Sequence, residues 1–230
     1  MGKINLNLGD CMEAMAKMED NSYDLAIVDP PYGINFAKKH TGTGWIERET
    51  KDWDKEIPTK EYFDELFRVS KNQIIWGANY MTNNIPPSMG WIFWDKGQRE
   101  FSLADGELAF TSFNKAMRVF TMSRGAKMAE DKKTGSDFHP TRKPVKLYEW
   151  LLLNYAQIKC PHKHRTTERH LCTTCRNSNV KILDTHGGSM SIALACHNLG
   201  FNLDLWELDE DYYKAGVKRY NQHIQQTRLF

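Results

Sequence analysis

The sequence predicts an α/β fold with a doubly wound, mostly parallel sheet. Short apolar runs alternate with amphipathic stretches along the chain, which is the order expected of strands joined by helices. Two of the runs, Leu25–Val28 and Lys181–Asp184, lead into turns rich in proline or glycine, as buried parallel strands do. The length of 230 residues suits one such domain, so we expect a single domain over residues 1–230.

The stretches between these two turns predict the other elements. Residues 61–70 are typical of an amphipathic helix, since Tyr62, Phe63 and Leu66 recur on one face. The strand before the proline turn should lie beside the strand before the glycine turn, because both turns must share the carboxyl edge of the sheet. Further strands are expected over residues 73–77, 91–94, 107–111 and 118–120, the last two as a hairpin at the sheet edge, and further helices over residues 145–156 and 211–225.

An acid, two prolines and an aromatic residue follow the first buried strand: Asp29, Pro30, Pro31 and Tyr32. The Asp29 carboxylate and the Pro30 carbonyl are hydrogen-bond acceptors, and neither proline nitrogen can donate. Such a loop suits a flat ring that bears an amino group, because the acceptors hold the amine while Tyr32 stacks on the ring. The alternative is a rigid turn that only closes the strand.

The second buried strand runs into a glycine-rich turn, then a helix of small residues and a further strand. Glycines let the backbone approach a ligand closely, and an acid at the tip of the next strand, Glu207, can bind ribose hydroxyls. Glu207 stands about 20 residues beyond the glycines, as that geometry requires. The turn consists of Asp184, Thr185, His186, Gly187, Gly188 and Ser189. This unit predicts a site for a nucleotide-like cofactor.

Together these motifs resemble the amino-methyltransferases of DNA, in the permuted group whose catalytic motif precedes the cofactor motif. Residues 139–144 are similar to that family's His-Pro-Thr-Gln-Lys-Pro segment, and residues 9–11 to its N-terminal element. The resemblance implies a Rossmann-like S-adenosylmethionine-dependent methyltransferase fold and transfer of methyl to N6 of a flipped-out adenine. Methylation of cytosine N4, or a non-catalytic zinc-containing DNA-binding module on the same fold, are the alternatives. Adenine is favoured because the family's cytosine members more often have Ser at the place of Asp29.

The resemblance also assigns roles to individual residues. The catalytic residues would be Asp29, Pro30, Pro31 and Tyr32, and the cofactor-binding residues would be Asp10, Cys11, Asp29, His139, Thr141, Lys143, Asp184, Thr185, Gly187, Gly188, Ser189, Glu207 and Asp209. The chain departs from the family pattern at three places. Thr185 and His186 stand where the family has Pro-Phe, Met190 replaces a glycine, and Arg142 replaces a glutamine.

A cluster of cysteines and histidines between the predicted helix at residues 145–156 and the strand that begins at Lys181 indicates a metal site. Cys172 and Cys175 form one knuckle, and Cys160 with a histidine can supply the other half of a tetrahedral zinc site. His164 is preferred over His162 and His170 for this position because its spacing from Cys160 gives the first loop room to turn. Residues 157–180 are therefore expected to be a small insert ordered by structural zinc. The alternative is a surface loop of reactive thiols.

Charge and hydropathy indicate the compartment and the partner. Residues 115–146 contain nine Lys or Arg and three Asp or Glu, a surface suited to the phosphates of double-stranded DNA, although a solvated loop is the simpler explanation. Residues 34–57 and 121–138 have weak secondary-structure signals and are candidates for DNA contact. No apolar stretch reaches about 18 residues and no signal-peptide pattern is present, so a cytoplasmic protein of a bacterial cell or a phage-infected host is expected, without membrane contact.

Two further partners are suggested. A homodimer is reasonable because the candidate recognition regions are short. The last residues, 226–230, read Gln-Thr-Arg-Leu-Phe and resemble the peptides that bacterial sliding clamps accept in a hydrophobic pocket. Docking of this tail on its own core is the alternative.

Overall fold

A computed structural model of the chain describes residues 2–35, 54–99, 104–135, 142–156 and 179–227. Eight strands within these residues form one sheet in the order β1-β8-β7-β2-β3-β5-β4-β6, and β5 is the strand that runs antiparallel to its neighbours. The strands are β1 Ile4–Leu8, β2 Leu25–Val28, β3 Gln73–Trp76, β4 Trp91–Asp95, β5 Gly106–Thr111, β6 Arg118–Thr121, β7 Lys181–Asp184 and β8 Asn202–Glu207. A mixed α/β architecture with a mostly parallel sheet is thereby confirmed.

Helices cover both faces of the sheet. One hydrophobic cluster packs α4 and α5 against the sheet, with α6 alongside, and a second cluster packs α1 and α2 on the other face. The helices are α1 Cys11–Met15, α2 Lys60–Val69, α3 Arg124–Thr134, α4 Val145–Tyr155, α5 Ser191–Leu199 and α6 Glu210–Thr227, with a short 3-10 helix at Ala78–Tyr80. Among them none is long and apolar enough to cross a membrane.

The central strands are apolar on both sides because each side meets a helical layer. In β2, Leu25 and Ile27 belong to the cluster on the α4–α5 face, whereas Ala26 and Val28 belong to the cluster on the α2 face. All four residues are buried. This two-sided burial explains why these strands appear in the sequence as continuous apolar runs, and it fixes the turn after β2 at the sheet edge.

The expected hairpin is wrong. Strands β5 and β6 do not pair with each other, because β4 lies between them, antiparallel to β5 and parallel to β6. Strand β6 does form the sheet edge, as predicted. The hairpin prediction assumes that strands adjacent in the sequence are adjacent in the sheet. Here β5 and β6 follow each other in the sequence, but β4 separates them in the sheet.

Part of the second weakly patterned stretch is a helix, α3. Ser123 caps its start by accepting a hydrogen bond from the Ala126 backbone N–H at 3.3 Å, and Gly135 ends it with a positive φ of 65°. Its pattern is polar because its buried side includes two acids, Glu130 and Asp131, in place of an apolar stripe. Glu130 accepts hydrogen bonds from the first backbone N–H groups of α4, so α3 is tied to α4 by charge and capping.

Candidate active site

The proline turn and the glycine turn lie side by side. Strand β2 pairs in parallel with β7, with Leu25 opposite Ile182 and Ala26 opposite Leu183. Asp29, just after β2, and Asp184, the last residue of β7, are therefore at the same carboxyl edge of the sheet. This confirms the prediction that these two strands are neighbours although they are far apart in the sequence.

The Asp29 carboxylate is held by two groups. The hydroxyl of Tyr32 donates to Asp29 Oδ1 at 2.7 Å, and the ammonium of Lys143 lies 2.5 Å from Asp29 Oδ2. Lys143 also donates to the Tyr32 hydroxyl at 3.0 Å. Burial raises the pKa of Asp29 against the opposing charge of Lys143. A carboxylate offers about four lone-pair sites, so two remain for another donor.

Two acidic residues that the sequence motifs did not indicate support this loop. Asp54 is 2 % exposed, and its Oδ1 accepts hydrogen bonds from the backbone N–H groups of Tyr32 and Gly33 at 2.8 and 3.1 Å. Glu107, on β5, lies 3.2 Å from the ammonium of Lys143 and 2.8 Å from that of Lys96. Neither belongs to a local pattern, because each reaches the loop from a distant part of the chain.

The charges of this network alternate in sign. Burial alone would raise the pKa of Glu107, but Lys143 and Lys96 outweigh it and lower that pKa to about 2. Burial alone would lower the pKa of Lys143, but Asp29 and Glu107 outweigh it and raise the pKa. Lys143 is thus a buried cation and Glu107 a partly buried anion at neutral pH.

An open cleft of about 530 Å³ lies beside the loop, lined among others by Tyr32, Tyr80, Lys55 and Ile57. The rings of Tyr32 and Tyr80 are stacked, with centroids 5.5 Å apart and planes inclined by 17°. Gly77 adopts a positive φ of 65°, and a Cβ there would lie 2.1 Å from the Tyr32 ring. The ring of Tyr32 is therefore fixed by its neighbours, and the cleft offers an aromatic wall to a flat ligand.

The glycine turn is organised around Glu207 at the end of β8. Glu207 Oε2 accepts a hydrogen bond from the Gly188 backbone N–H at 2.6 Å, and Oε1 accepts one from the Asp209 backbone N–H at 2.8 Å. A Cβ on Gly187 would lie 2.5 Å from the Leu205 side chain, so the turn passes close over β8. A carboxylate offers about four lone-pair sites, so Glu207 can also accept from a hydroxyl donor such as a ribose.

Asp184 and the two unusual residues that follow it are packed against α2. The Tyr62 hydroxyl lies 2.7 Å from Thr185 Oγ1, which in turn lies 2.9 Å from His186 Nδ1. Burial raises the pKa of Asp184 to about 8, against the His186 backbone N–H that favours the charged form, and burial lowers the pKa of His186 to about 4. Both side chains are mainly neutral near pH 7. Met190 caps α5 with a positive φ of 56°, the place where the family pattern has a glycine.

The N-terminal motif reaches the same edge. The Gly9 backbone N–H donates to the Glu207 carbonyl at 2.9 Å, and Asp10 caps α1 by accepting from the Met12 backbone N–H at 2.8 Å. Burial raises the pKa of the Cys11 thiol to about 12, so it is not a thiolate at neutral pH. The structure thus brings residues 9–11 together with Asp184 and Glu207, whereas Lys143 lies on Asp29 and Glu107.

Several predicted residues lie outside the described ranges. These are His139 and Thr141 and all the proposed zinc ligands, Cys160, His164, Cys172 and Cys175, with the alternatives His162 and His170. Among the residues that are described, no group of three or more His, Cys, Asp or Glu is arranged to hold a metal ion. Most of residues 34–57 and the last three residues of the tail are also outside these ranges. Cys196 is fully buried in the core.

Comparison of the sequence with known proteins gives one relative in Escherichia coli. YubD, which is named as a methylase without a stated substrate, is 25 % identical over 92 % of this chain and 87 % of its own length. No protein-family model matches the sequence.

Solved structures with similar folds include two that are named as enzymes that methylate DNA. M1.HpyAVI in complex with SAM covers 94 % of this chain and 99 % of its own, with a TM-score of 0.54 and 18 % identity. The PvuII cytosine-N4-specific DNA methyltransferase covers 98 % and 91 %, with a TM-score of 0.54 and 12 % identity. A protein from Thermus thermophilus, named as a DNA modification methylase and bound to S-adenosyl-L-methionine, covers 96 % of both chains at a TM-score of 0.52 and 12 % identity. The resemblance in fold that the motifs predicted is confirmed.

Proposed function

We propose that this chain is an S-adenosylmethionine-dependent DNA methyltransferase that acts on the exocyclic amine of adenine. One observation carries the proposal: the Asp29-Pro30-Pro31-Tyr32 loop and the glycine turn anchored by Glu207 meet at one edge of the sheet. The first offers acceptors to an amine, and the second offers acceptors and a close backbone approach to a nucleoside. The names of the similar proteins in sequence and fold support the same reaction.

The residues around Glu207 fit the proposed cofactor. Glu207 would accept from the ribose hydroxyls, and Gly187 and Gly188 would let the backbone approach. Further contacts are proposed for Asp10, Cys11, Thr185, Ser189 and Asp209, and, outside the described ranges, for His139 and Thr141. Asp184, neutral near pH 7, would present a hydrogen-bond donor as well as an acceptor. S-adenosylmethionine, when bound, supplies a methyl group already activated by its sulfonium.

The loop after β2 would hold the target amine. The two unused lone-pair sites of Asp29 and the Pro30 carbonyl accept the hydrogens of the amine, which orients its nitrogen toward the methyl group. As the nitrogen–carbon bond formed, the sulfonium–methyl bond would break and leave S-adenosylhomocysteine, and the surplus proton of the amine would pass to Asp29. The base would enter the cleft beside Tyr32 and Tyr80, where stacking on an aromatic side chain offsets part of the few kcal/mol that base flipping costs.

Adenine is proposed over cytosine because of Asp29, since the cytosine members of the resembling family more often have Ser there. Cytosine N4 is the second candidate, and the fold shared with a cytosine-N4-specific enzyme favours it.

We also propose that residues 157–180 form an insert held by structural zinc through Cys160, His164, Cys172 and Cys175. The spacing of the two closest cysteines and the three nearby histidines supports this. Metal analysis of the purified protein should give about one zinc per chain. The double variant Cys172→Ser, Cys175→Ser should lose it, whereas Cys196→Ala should keep it because Cys196 is buried in the core. Zinc in the double variant would contradict this ligand set.

Double-stranded DNA is the proposed partner, and a homodimer and a clamp contact through residues 226–230 remain hypotheses. A peptide of those five residues that shows no binding to a sliding clamp by calorimetry would end the second. The dimer is tested by sedimentation of the full chain with and without duplex DNA.

The function is tested by transfer of labelled methyl from S-adenosylmethionine to unmethylated duplex DNA, with separation of the product nucleosides. Labelled N6-methyladenine is expected. Labelled N4-methylcytosine would keep the reaction and change the base. Absence of transfer by folded protein that binds the cofactor would overturn DNA as the substrate, and absence of cofactor binding would favour the non-catalytic DNA-binding module.

A further inference from the structure

We infer that Lys143, held in place by Glu107, is a positioning residue that stabilises the ionised form of the Asp29 carboxylate and orients it toward the target amine. This rests on the proposed function, because it assigns a partner to the acid that would receive the amine. It differs from the role in cofactor binding that the sequence resemblance gave to Lys143.

The contacts of Lys143 support this assignment. Its side chain is 1 % exposed, and its ammonium lies 2.5 Å from Asp29 Oδ2, 3.0 Å from the Tyr32 hydroxyl and 3.2 Å from Glu107 Oε2. The same ammonium lies 5.1 Å from the centre of the Trp76 ring. A buried cation is tolerated only when its charge is compensated, and these three oxygens and the ring compensate it.

Glu107 is a second counterion for the Lys143 ammonium, beside Asp29. If Asp29 were the sole counterion, any shift of Asp29 toward an incoming amine would leave a buried ammonium unpaired, which is costly. Glu107 remains on Lys143, and Lys96 in turn balances Glu107 at 2.8 Å. The ammonium can therefore stay in place while the free lone pairs of Asp29 are offered to the substrate.

The backbone at Lys143 is itself fixed. Lys143 stands two residues before α4, whose first N–H groups, at Val145 and Lys146, donate to Glu130 at 2.8 and 3.0 Å. The preceding residue, Arg142, pairs with Asp131 at 2.9 Å. Both acids belong to α3, so that helix anchors the segment from which the Lys143 side chain extends. Such support is what a catalytic group needs to be held within a fraction of an ångström.

The other groups around Asp29 are acidic or neutral. Glu107 on β5 and Asp184 on β7 interact with it electrostatically, as do the hydroxyls of Tyr62 on α2 and Tyr148 on α4. Tyr32 donates a hydrogen bond. Lys143 is the cation in contact with Asp29 among the described residues, so its removal should favour the protonated acid, whose O–H is a donor where the amine needs an acceptor.

The test is single-turnover methyl transfer as a function of pH for the wild type and four variants of the full chain. The acid limb of the profile is the range in which the rate rises with pH as Asp29 loses its proton. In Lys143→Met this limb should move to higher pH by about one unit or more, because the opposite charge beside Asp29 has been removed. Lys143→Arg keeps the charge and should keep the limb near that of the wild type, at a lower plateau. In Glu107→Gln the limb should move to lower pH, since a like charge near Asp29 is lost.

Lys96→Met is the matched control, because it also removes a cation from Glu107 but not one that touches Asp29. Its acid limb should move less than that of Lys143→Met. A uniform loss of rate at every pH in Lys143→Met, with no movement of the limb, would indicate a structural role only and overturn the inference.

A second readout does not depend on methyl transfer. The carboxyl carbon of Asp29, labelled with carbon-13 and assigned by its loss in Asp29→Asn, can be titrated by NMR in each variant. An Asp29 pKa that rises in Lys143→Met and falls in Glu107→Gln supports the inference even if no DNA is methylated, in which case only the proposed function fails. Unchanged titration in both variants overturns it. If Lys143→Met does not fold, the Glu107→Gln and Lys143→Arg titrations decide by themselves.

Discussion

Two acids at neighbouring strand ends, the partly buried Asp29 after β2 and the buried Asp184 at the end of β7, differ in the groups that contact them. Asp29 contacts an ammonium and a tyrosine hydroxyl, whereas Asp184 accepts from the backbone N–H of His186. Burial raises the pKa of Asp184 to about 8, while Lys143 opposes the effect of burial on Asp29. The fold therefore places a cation in contact with Asp29 and leaves Asp184 mainly neutral near pH 7, although the two acids share one edge of the sheet and are 155 positions apart in the chain.

The largest effect is expected from Asp29→Asn. The amide puts a donor where the amine needs an acceptor and leaves Lys143 with Glu107 alone, so transfer should fall by about 1,000-fold or more, or about 4 kcal/mol in barrier. Cofactor affinity should stay within about threefold of that of the wild type, since Glu207 is untouched. Single-turnover rates and calorimetry with S-adenosylmethionine measure the two.

Asp24→Asn is the control for this variant. Asp24 stands at the opposite end of β2 and pairs with Lys71 at the surface, at 2.7 Å. Its transfer rate should match that of the wild type. A loss of cofactor binding in Asp29→Asn would show that the two strand ends do not have separate roles.

Glu207→Ala tests the glycine turn, which follows the second of the two strands. It removes the acceptor for the Gly188 and Asp209 N–H groups and for the proposed ribose contact, so the dissociation constant for S-adenosylmethionine should rise by about 10- to 100-fold. Calorimetry measures it. Glu210→Ala, which removes only an exposed pair with Lys214, should leave the constant unchanged. Equal constants for both variants would exclude Glu207 from the cofactor site.

Tyr32→Phe separates the hydroxyl from the ring. The ring would still stack on Tyr80, but Asp29 would lose a donor at 2.7 Å, so transfer should fall by about tenfold. DNA affinity, measured by fluorescence anisotropy, should be nearly unchanged because the aromatic wall remains. Tyr80→Phe serves as the matched variant on the stacked partner, and an equal loss of rate there would remove the special role of the Tyr32 hydroxyl.

The smallest effect on transfer is expected from Asp184→Asn, because an amide resembles the neutral acid. Stability should respond instead. The folded pKa of about 8 lies above the usual value of about 3.9, so the folded protein binds more protons than the unfolded chain between these pH values, and stability falls as the pH rises through that window. Between pH 5 and pH 8 the free energy of unfolding of the variant should therefore increase relative to that of the wild type, on the order of a few kcal/mol. Urea unfolding at both pH values measures this, and parallel changes would contradict the neutral state of Asp184.

Features that depend on neighbouring residues, such as turns, could be predicted from the sequence, whereas contacts between distant residues could not. The turns after β2 and β7 were recognisable because proline and glycine constrain the backbone where the chemistry is, and the parallel pairing of these strands followed from their shared edge. Glu107 could not be predicted as a partner of Lys143, since its place depends on the antiparallel insertion of β5 between β3 and β4. Asp54 was hidden for the same reason, because it binds the Tyr32 and Gly33 N–H groups from 21 to 22 positions away in a region without a pattern.

Helix α3 shows that a polar stretch of sequence can form a helix that packs on the rest of the fold. Its sequence has the composition of a polar loop, yet Ser123 and Gly135 bracket it as caps, and its two buried acids bind α4 and Arg142. An apolar stripe is one way to dock a helix, and a pair of capped acids is another. A search for capping residues around polar stretches would have indicated it.

The pairing of β1 with β8 and of β2 with β7 also sets the order in which the chain can acquire its sheet. Asn5 lies opposite Asp204, so the first strand has no partner on that side until nearly two hundred further residues have been made. During synthesis the backbone N–H and C=O groups on one edge of β2 also stay without their strand partner, because β7 is made late. Ordering such distant contacts carries a large loop-closure cost. Folding should therefore be slow for a chain of this size, and nascent chains that stop before β7 should depend on chaperones to stay in solution.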